Sequence, residues 1–305
     1  MLCYNIVMNQ SESLAGIRPT NTWNKRLNLA DLTQGEEYGS GLVRIVTPSD
    51  RLTQSESSLF VIPTENNKAV FIDAGNDPKA TAMRLAMRSL GLDFNDPNAH
   101  GGLILTHPHE DHSQGIRSMR SLGKNSVPVY AHPLARRQLN ELHLSEGLLP
   151  KTKDTALVIA SRFSHQKAPA TWVFPRELRS VGEETLHLGG SNFRIFNVPG
   201  HTSDSIAVLI DDKDLVVGDA FGFTKTGEVA LTPPVFSKDN KEARRSIDRL
   251  YLEISNLGLK NLGVHPAHTG SGTWEAVREF SETKKISPLR KIFILSGLVK
   301  IDSEN

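Results

Sequence analysis

The sequence predicts an α/β fold in which two β-sheets pack face to face and helices lie outside. Three observations predict it. Short β-branched and aliphatic runs occur in two clusters, at 42–131 and 184–266. Each cluster contains or is followed by a segment with helical spacing of its apolar residues. The length of 305 residues, with 38% hydrophobic content, suffices for one large core without disulfide support. Strands clustered in this way, with helices between and after them, form layers around one core rather than separate domains.

In the first cluster, LVRIVT (42–47), SLFVIP (58–63) and AVFIDAG (69–75) read as successive strands. Asp77-Pro78 offers an N-cap followed by proline at the first helical position. The helix that follows carries Ala80, Met83, Ala86, Met87 and Leu90 along one face. GLILT (102–106) and PVYA (128–131) read as buried strands, and Pro133 opens a further helix. Residues 145–182 are irregular and hold Phe163, Trp172 and Phe174; they read as a lid or substrate loop. The second cluster runs through ETLHL (184–188), FRIFNV (193–198), SIAVLI (205–210), DLVVG (214–218) and LGVHP (262–266). A helix with Ala243, Ile247, Leu250 and Ile254 at spacings of three and four precedes the last of these, and TWEAVREFSETKK closes the domain. Residues 1–41 read as an N-terminal extension and 286–305 as a C-terminal tail.

Composition limits function. Lys plus Arg is 35 and Asp plus Glu is 34, a net charge of +1, which argues against a general polyanion binder. No window approaches about 18 uncharged apolar residues, so no membrane span is expected. The lone Cys3 has no internal partner and the first residues lack a basic and apolar leader, so a cytoplasmic location is expected. The partner is then a small-molecule substrate, without nucleic acid or membrane, and the reading admits a homodimer.

The chemistry is concentrated in Thr106-His107-Pro108-His109-Glu110-Asp111-His112, directly after an apolar strand run. Imidazole and carboxylate together suit zinc or iron. In extended chain, residues two apart project to one side, so His107 and His109 reach one cation, and Asp111 and His112 beyond the turn reach a second. Three further segments put a donor just after an apolar run: His201 in NVPGHT, Asp219 in VVGDA, and His265 or His268 in GVHPAHTG.

These residues resemble the metallo-β-lactamase-fold hydrolase superfamily over about residues 42–285. The resemblance implies an αββα sandwich of two mixed β-sheets flanked by helices, with a two-metal cleft at one edge. It implies that His107, His109 and His201 hold one metal, that Asp111, His112 and His268 hold the other, and that Asp219 bridges them. Asp73 in FIDAG resembles the superfamily's structural acid. Pro266-Ala267-His268-Thr269 matches the register of its last motif, which favours His268 over His265 as ligand. The implied cofactors are two divalent ions, zinc first, with iron and manganese as alternatives.

Two cations sharing a water bring its pKa near neutrality, so that hydroxide attacks a polarised carbonyl. Asp111 is then the catalytic residue that orients the nucleophile or passes a proton to the leaving group. The absence of a leader together with Asp219 disfavours β-lactamases, and the 48 residues between Asp219 and His268 leave no room for a nuclease insertion. Small-ester hydrolysis remains, with an acyl-homoserine lactone expected first. A glyoxalase II-like thioesterase is the alternative, and a mononuclear iron persulfide dioxygenase using His107, His201 and Asp219 is a third reading. Phe221, Phe223 and Trp172 are the expected substrate contacts, the first two as an apolar wall, with ordinary core packing as an equal alternative for those two.

Overall fold

The computed structural model describes residues 40–48, 56–77, 79–120, 122, 127–135, 178–234 and 236–283. The extension and the lid are therefore described only at 40–41 and 178–182, and Trp172 and the tail lie outside the described residues.

The first sheet contains β1 (Val43–Pro48), β2 (Glu56–Pro63), β3 (Ala69–Ile72), β4 (His100–Leu105), β5 (Val129–Ala131) and β6 (Leu178–Ser180), side by side in chain order. Its first three strands are antiparallel neighbours, and β3 through β6 run parallel. Between β3 and β4 lies α1 (Thr81–Ser89), and after β4 come the short α2 (Glu110–Ser113) and α3 (Ile116–Arg120). The second sheet is built from β7 (Thr185–Leu188), β8 (Ser191–Asn197), β9 (Ile206–Ile210), β10 (Asp214–Gly218), β13 (Gly263–Pro266) and β14 (Gly272–Thr273). A two-residue ribbon, β11 (Gly222–Phe223) with β12 (Val229–Ala230), precedes α4 (Asn240–Asn256), and α5 (Trp274–Glu282) closes the described chain.

Side-chain alternation sorts the apolar residues into three layers. Phe60 and Ile62 of β2, Val70 and Ile72 of β3 and Ile104 of β4 meet Phe193, Ile195, Ile206, Val208, Ile210 and Val216 between the sheets. Their sequence neighbours Leu59, Val61, Phe71, Leu103 and Leu105 point the other way, under Met83 and Met87 of α1. Leu209, Leu215, Val217 and Val264 likewise face Ile247, Leu250, Ile254, Trp274, Val277 and Phe280 of α4 and α5. A period of two on central strands buries both faces, which is why these runs are continuously apolar rather than alternating with polar residues. The outcome is the helix–sheet–sheet–helix sandwich, in one unit.

Local differences from the expected elements have physical causes. The first helix starts at Thr81, not at Pro78; Ala80 precedes it at φ 51°, and Asp77 accepts from Lys79 N and Thr81 N at 2.9 and 2.6 Å. Asp77 thus caps a turn one step before the helix. The helix expected from Pro133 is described only to Ala135, whose N–H donates to the His132 carbonyl. The end of the expected lid is a strand: Leu178–Ser180 pairs in parallel with β5 at the sheet edge. The long helix is capped as its sequence implies, with Asp239 accepting from Lys241 N and Glu242 N at 2.8 and 3.0 Å.

That helix fixes the loop before His201. Gly200 has φ +145°, and a Cβ built there would stand 2.3 Å from both Cα and N of Ala243. Lys238 N and Asp239 N donate to the His201 and Gly200 carbonyls, and Ser246 Oγ donates to the Pro199 carbonyl. Gly200→Ala must push the helix start away from this loop, an overpacking cost of about 1–3 kcal/mol. A shifted urea midpoint, with a fall in activity because His201 is the next residue, is the expected result.

Candidate metal centre

Every predicted ligand sits at a strand's carboxyl end on one edge of the sandwich. The segment after β4 supplies His107, His109, Asp111 and His112; the loop after β8 supplies His201; Asp219 follows β10 and His268 follows β13. The structure gathers them into two groups, His107, His109, His201 and Asp219 in one, and Asp111, His112 and His268 in the other, each with its ligand atoms within 4.8 Å of one another.

In the first group His201 Nε2 lies 3.2 Å from His107 Nε2 and 3.0 Å from His109 Nδ1, which is itself 3.1 Å from His107 Nε2. Asp219 Oδ2 is 3.4 Å from His201 Nε2 and 3.8 Å from His107 Nε2. In the second group His268 Nε2 is 3.2 Å from Asp111 Oδ2, and His112 Nε2 is 3.8 Å from the same oxygen. Asp219 joins the two groups. Its Oδ2 also stands 3.2 Å from His268 Nε2, and its Oδ1 is 3.3 Å from His112 Nε2. One carboxylate thus faces both sets, as expected of a bridging group.

The bonds behind the rings identify which nitrogens carry lone pairs. Thr106 Oγ1 lies 3.0 and 2.8 Å from the two oxygens of Asp73 and gives its single proton there. His107 Nδ1, 3.1 Å from that same Oγ1, must therefore donate to it. His112 Nδ1 donates to Asp73 Oδ2 at 2.8 Å, and His268 Nδ1 donates to the Glu56 carbonyl. With Nδ1 donating outward, each of the three rings turns its Nε2 inward, where it is an acceptor whenever the ring is neutral. In the first group His107 Nε2, His109 Nδ1 and His201 Nε2 lie 3.0 to 3.2 Å from one another, a convergence that positive charge among them would stabilise. The donor set therefore fits a cation, and its imidazole and carboxylate chemistry fits zinc or iron.

Electrostatics lead to the same conclusion. Burial, reinforced by the neighbouring His112 and His109, holds His107 well below the ordinary imidazole range. Burial lowers His201 to about 3, against the pull of Asp219. His112 and His268 behave oppositely. Burial opposes their charging, but Asp219, Asp111 and, for His112, Asp73 outweigh it, and His268 rises to about 10. Without a cation the carboxylates draw protons onto those two rings, and a metal would have to displace them.

The site opens on one side. His109 is exposed, and the Asp111 side chain keeps 22% of its surface, whereas His107, His112, His201 and Asp219 are buried. Asp73 lies fully enclosed beneath the cluster, at φ 62°, accepting also from Thr106 N at 2.8 Å; it braces the site by holding His112 and Thr106 from behind and belongs to neither donor group. His265 is fully buried and bonds Asp214, so it is not a ligand.

The expected apolar wall is corrected. Phe221 and Phe223 retain 1% and 4% of their surface and belong to the core under α4 and α5. Their rings pack edge to face with centroids 6.1 Å apart, and Gly272 closes on Phe223. The chain turns inward after Asp219, which carries both rings beneath the sheet, away from solvent. Sequence reading also missed a group of hydroxyls that steady the site. Ser57 Oγ donates to the Asp111 carbonyl at 3.0 Å, and Thr232 Oγ1 donates to the Asp219 carbonyl at 2.6 Å. Both are ordinary strand or turn residues with no distinguishing pattern.

A His/Asp cluster shared by two donor groups, at the strand ends of an αββα sandwich, defines a metal-dependent enzyme class. The chain belongs to the metallo-beta-lactamase superfamily: the family model matches residues 51–279. It is similar to a hydroxyacylglutathione hydrolase of Shewanella halifaxensis, 23% identical over 158 residues, which are 52% of this chain and 45% of that protein. The chain thus spans about half the length of the curated relative it matches. Among solved structures it is similar to ST1585, an archaeal metallo-beta-lactamase superfamily protein from Sulfolobus tokodaii, with TM-score 0.54, 23% identity, and 79% of this chain and 87% of that one covered. It is also similar to TTHA1429, a metallo-beta-lactamase family protein from Thermus thermophilus, with TM-score 0.55, 20% identity, and 79% and 78% covered. Members of the superfamily are mostly hydrolases that bind divalent metals. Among the described residues no helix is long and apolar enough to cross a membrane.

Proposed function

We propose that the protein is a hydrolase of small esters that uses two divalent metal ions, zinc first, with a thioester as its leading substrate class and a lactone as the second. The observation that carries the reading is the position of Asp219 between the two donor groups, with Oδ2 3.4 Å from His201 Nε2 and 3.2 Å from His268 Nε2, and Oδ1 3.3 Å from His112 Nε2. Two divalent ions held there would polarise the ester carbonyl and lower the pKa of a shared water toward neutrality. His107, His109 and His201 would hold the first ion and Asp111, His112 and His268 the second, with Asp219 offsetting part of the repulsion between them. Asp111, at the open edge, orients the attacking water and accepts its proton.

The leaving group favours sulfur. Among the described residues the tyrosines are Tyr130, whose hydroxyl accepts from Arg179, and Tyr251, whose hydroxyl donates to Glu282. Neither belongs to the donor cluster, so no described phenol protonates a departing oxygen there. A thiol, with a pKa of about 8.5, departs as an anion without help. An alcohol is about as weak an acid as water, at about 15.7, and needs a proton, which Asp111 would have to return. The likeness to a hydroxyacylglutathione hydrolase supports the same order, and the lactone first expected gains nothing from the relatives.

The test is metal analysis joined to a substrate panel. Chelation should abolish hydrolysis, and zinc or manganese should restore it at two ions per chain. Glutathione thioesters should turn over faster than acyl-homoserine lactones or phosphodiesters. The persulfide dioxygenase reading would instead give one oxidisable iron and oxygen uptake with a persulfide. That result would replace the hydrolase reading.

A further inference from the structure

Outside the donor cluster the structure holds a second chain of polar side chains, buried between the sheets. His265 Nε2 is 2.9 Å from Asp214 Oδ1, and His265 Nδ1 is 2.9 Å from Ser271 Oγ. Asp214 and His265 are enclosed, and Ser271 is half-buried. Asp214 only accepts, so His265 Nε2–H donates to it, and the other ring nitrogen, Nδ1, shares a hydrogen bond with the Ser271 hydroxyl. The other Asp214 oxygen accepts from Ser40 N at 2.7 Å. Burial raises the Asp214 carboxyl, but the bonds from His265 and Ser40 outweigh it and keep it below its usual range. Gly263 permits this approach, because a Cβ there would lie 2.6 Å from Asp214 Oδ1 and 2.8 Å from His265 Nε2. The composition is that of a nucleophilic triad, but the imidazole is wholly enclosed, which leaves no room for a substrate at the ring.

What the chain of bonds spans is the loop bearing His268. Residues 265 and 271 are the two ends of that loop, and Ser271 closes it onto His265 across six positions. His265 is anchored in turn to Asp214, the first residue of β10, whose far end leads into Asp219. Inside the loop, Ala267 N donates to the Gly218 carbonyl at 3.0 Å and Arg44 Nη2 donates to the Thr269 carbonyl at 2.6 Å. Every one of these bonds restrains the backbone on either side of one ligand.

We propose that Asp214, His265 and Ser271 are positioning residues that hold the His268 loop in register with Asp219 and so set the affinity of the second metal position. The inference rests on the reading that Asp111, His112 and His268 hold the second ion. Groups that orient a ligand without touching metal alter affinity by about 10–100-fold. Ser271→Ala removes one hydroxyl at a half-buried position, so the fold should persist.

The experiment titrates the metal-stripped full chain with cobalt(II), following its visible absorption, for wild type, Ser271→Ala, Ser271→Thr and His265→Gln. Expected are two resolved uptake steps in wild type. In Ser271→Ala the second step should weaken about tenfold or more while the first is unchanged. Ser271→Thr, which keeps the hydroxyl, should restore the second step. His265→Gln should weaken the second step further. Two steps of wild-type affinity in Ser271→Ala would overturn the inference alone, and equal weakening of both steps would also overturn it. Uptake of a single equivalent by wild type would overturn it together with the two-ion reading.

Discussion

Replacing His109 by alanine should abolish turnover and leave the folded protein as stable as before. The side chain is exposed, at the N-cap of α2, and makes no hydrogen bond to that helix. Substitutions at such surface positions change stability by about 0.5 kcal/mol or less. Its Nδ1 nevertheless stands 3.0 Å from His201 Nε2 and 3.1 Å from His107 Nε2, inside the first donor group. Changes to residues that merely orient ligands cost about 10–100-fold in metal affinity or activity. Removal of a ligand should therefore exceed the upper end, with kcat/KM falling by more than about 100-fold. The check is a thermal melt and a kinetic assay on a sample saturated with metal. Retention of most activity would remove His109 from the first group and with it the tetrad that distinguishes a hydrolase from an iron site of three ligands.

That result would also test how far the sequence reaches. His107 and His109 were readable as a pair because they stand two positions apart in extended chain, and their rings do meet, with centroids 4.6 Å apart. The choice of His268 over His265 needed more than composition, since His265 lies in β13 and His268 just beyond it. The resemblance of Pro266-Ala267-His268-Thr269 to the superfamily's last motif decided it, and the bond from His265 to Asp214 explains why the earlier histidine is committed elsewhere. The sandwich was legible because central strands buried on both faces read as unbroken apolar runs. The three-residue strand Leu178–Ser180 was not, because one pleat carries no period and only pairing with β5 defines it.

Side-chain direction was the harder problem. Phe221 and Phe223 stand just beyond a ligand, and sequence position makes them neighbours of the cleft. The turn after Asp219 makes them core, and nothing in the pattern of residues encodes that turn. Asp73 shows the reverse. Its resemblance to the superfamily's structural acid implied a brace, and its three accepted bonds supply one.

Asp73→Ala should therefore produce the largest loss of stability in the molecule. The carboxylate is fully buried, and its removal strands Thr106 N–H, the Thr106 hydroxyl and His112 Nδ1–H without acceptors. Breaking one side of a buried ionic or hydrogen-bonded pair costs about 3–5 kcal/mol, a large part of a typical domain's stability of about 5–15 kcal/mol. The backbone adds to this: the left-handed conformation at φ 62° costs alanine more than it costs aspartate or asparagine. Asp73→Asn keeps that conformation and one acceptor oxygen, so it should fall between wild type and alanine. Freed from its acceptor, His112 can present either nitrogen inward, so the second metal position should weaken in both variants. Urea denaturation of the metal-free chain separates the two effects, because stability lost there owes nothing to the ions. If Asp73→Ala unfolds at the wild-type urea concentration, the bonds under the site are incidental. The orientation of His112 would then require another cause.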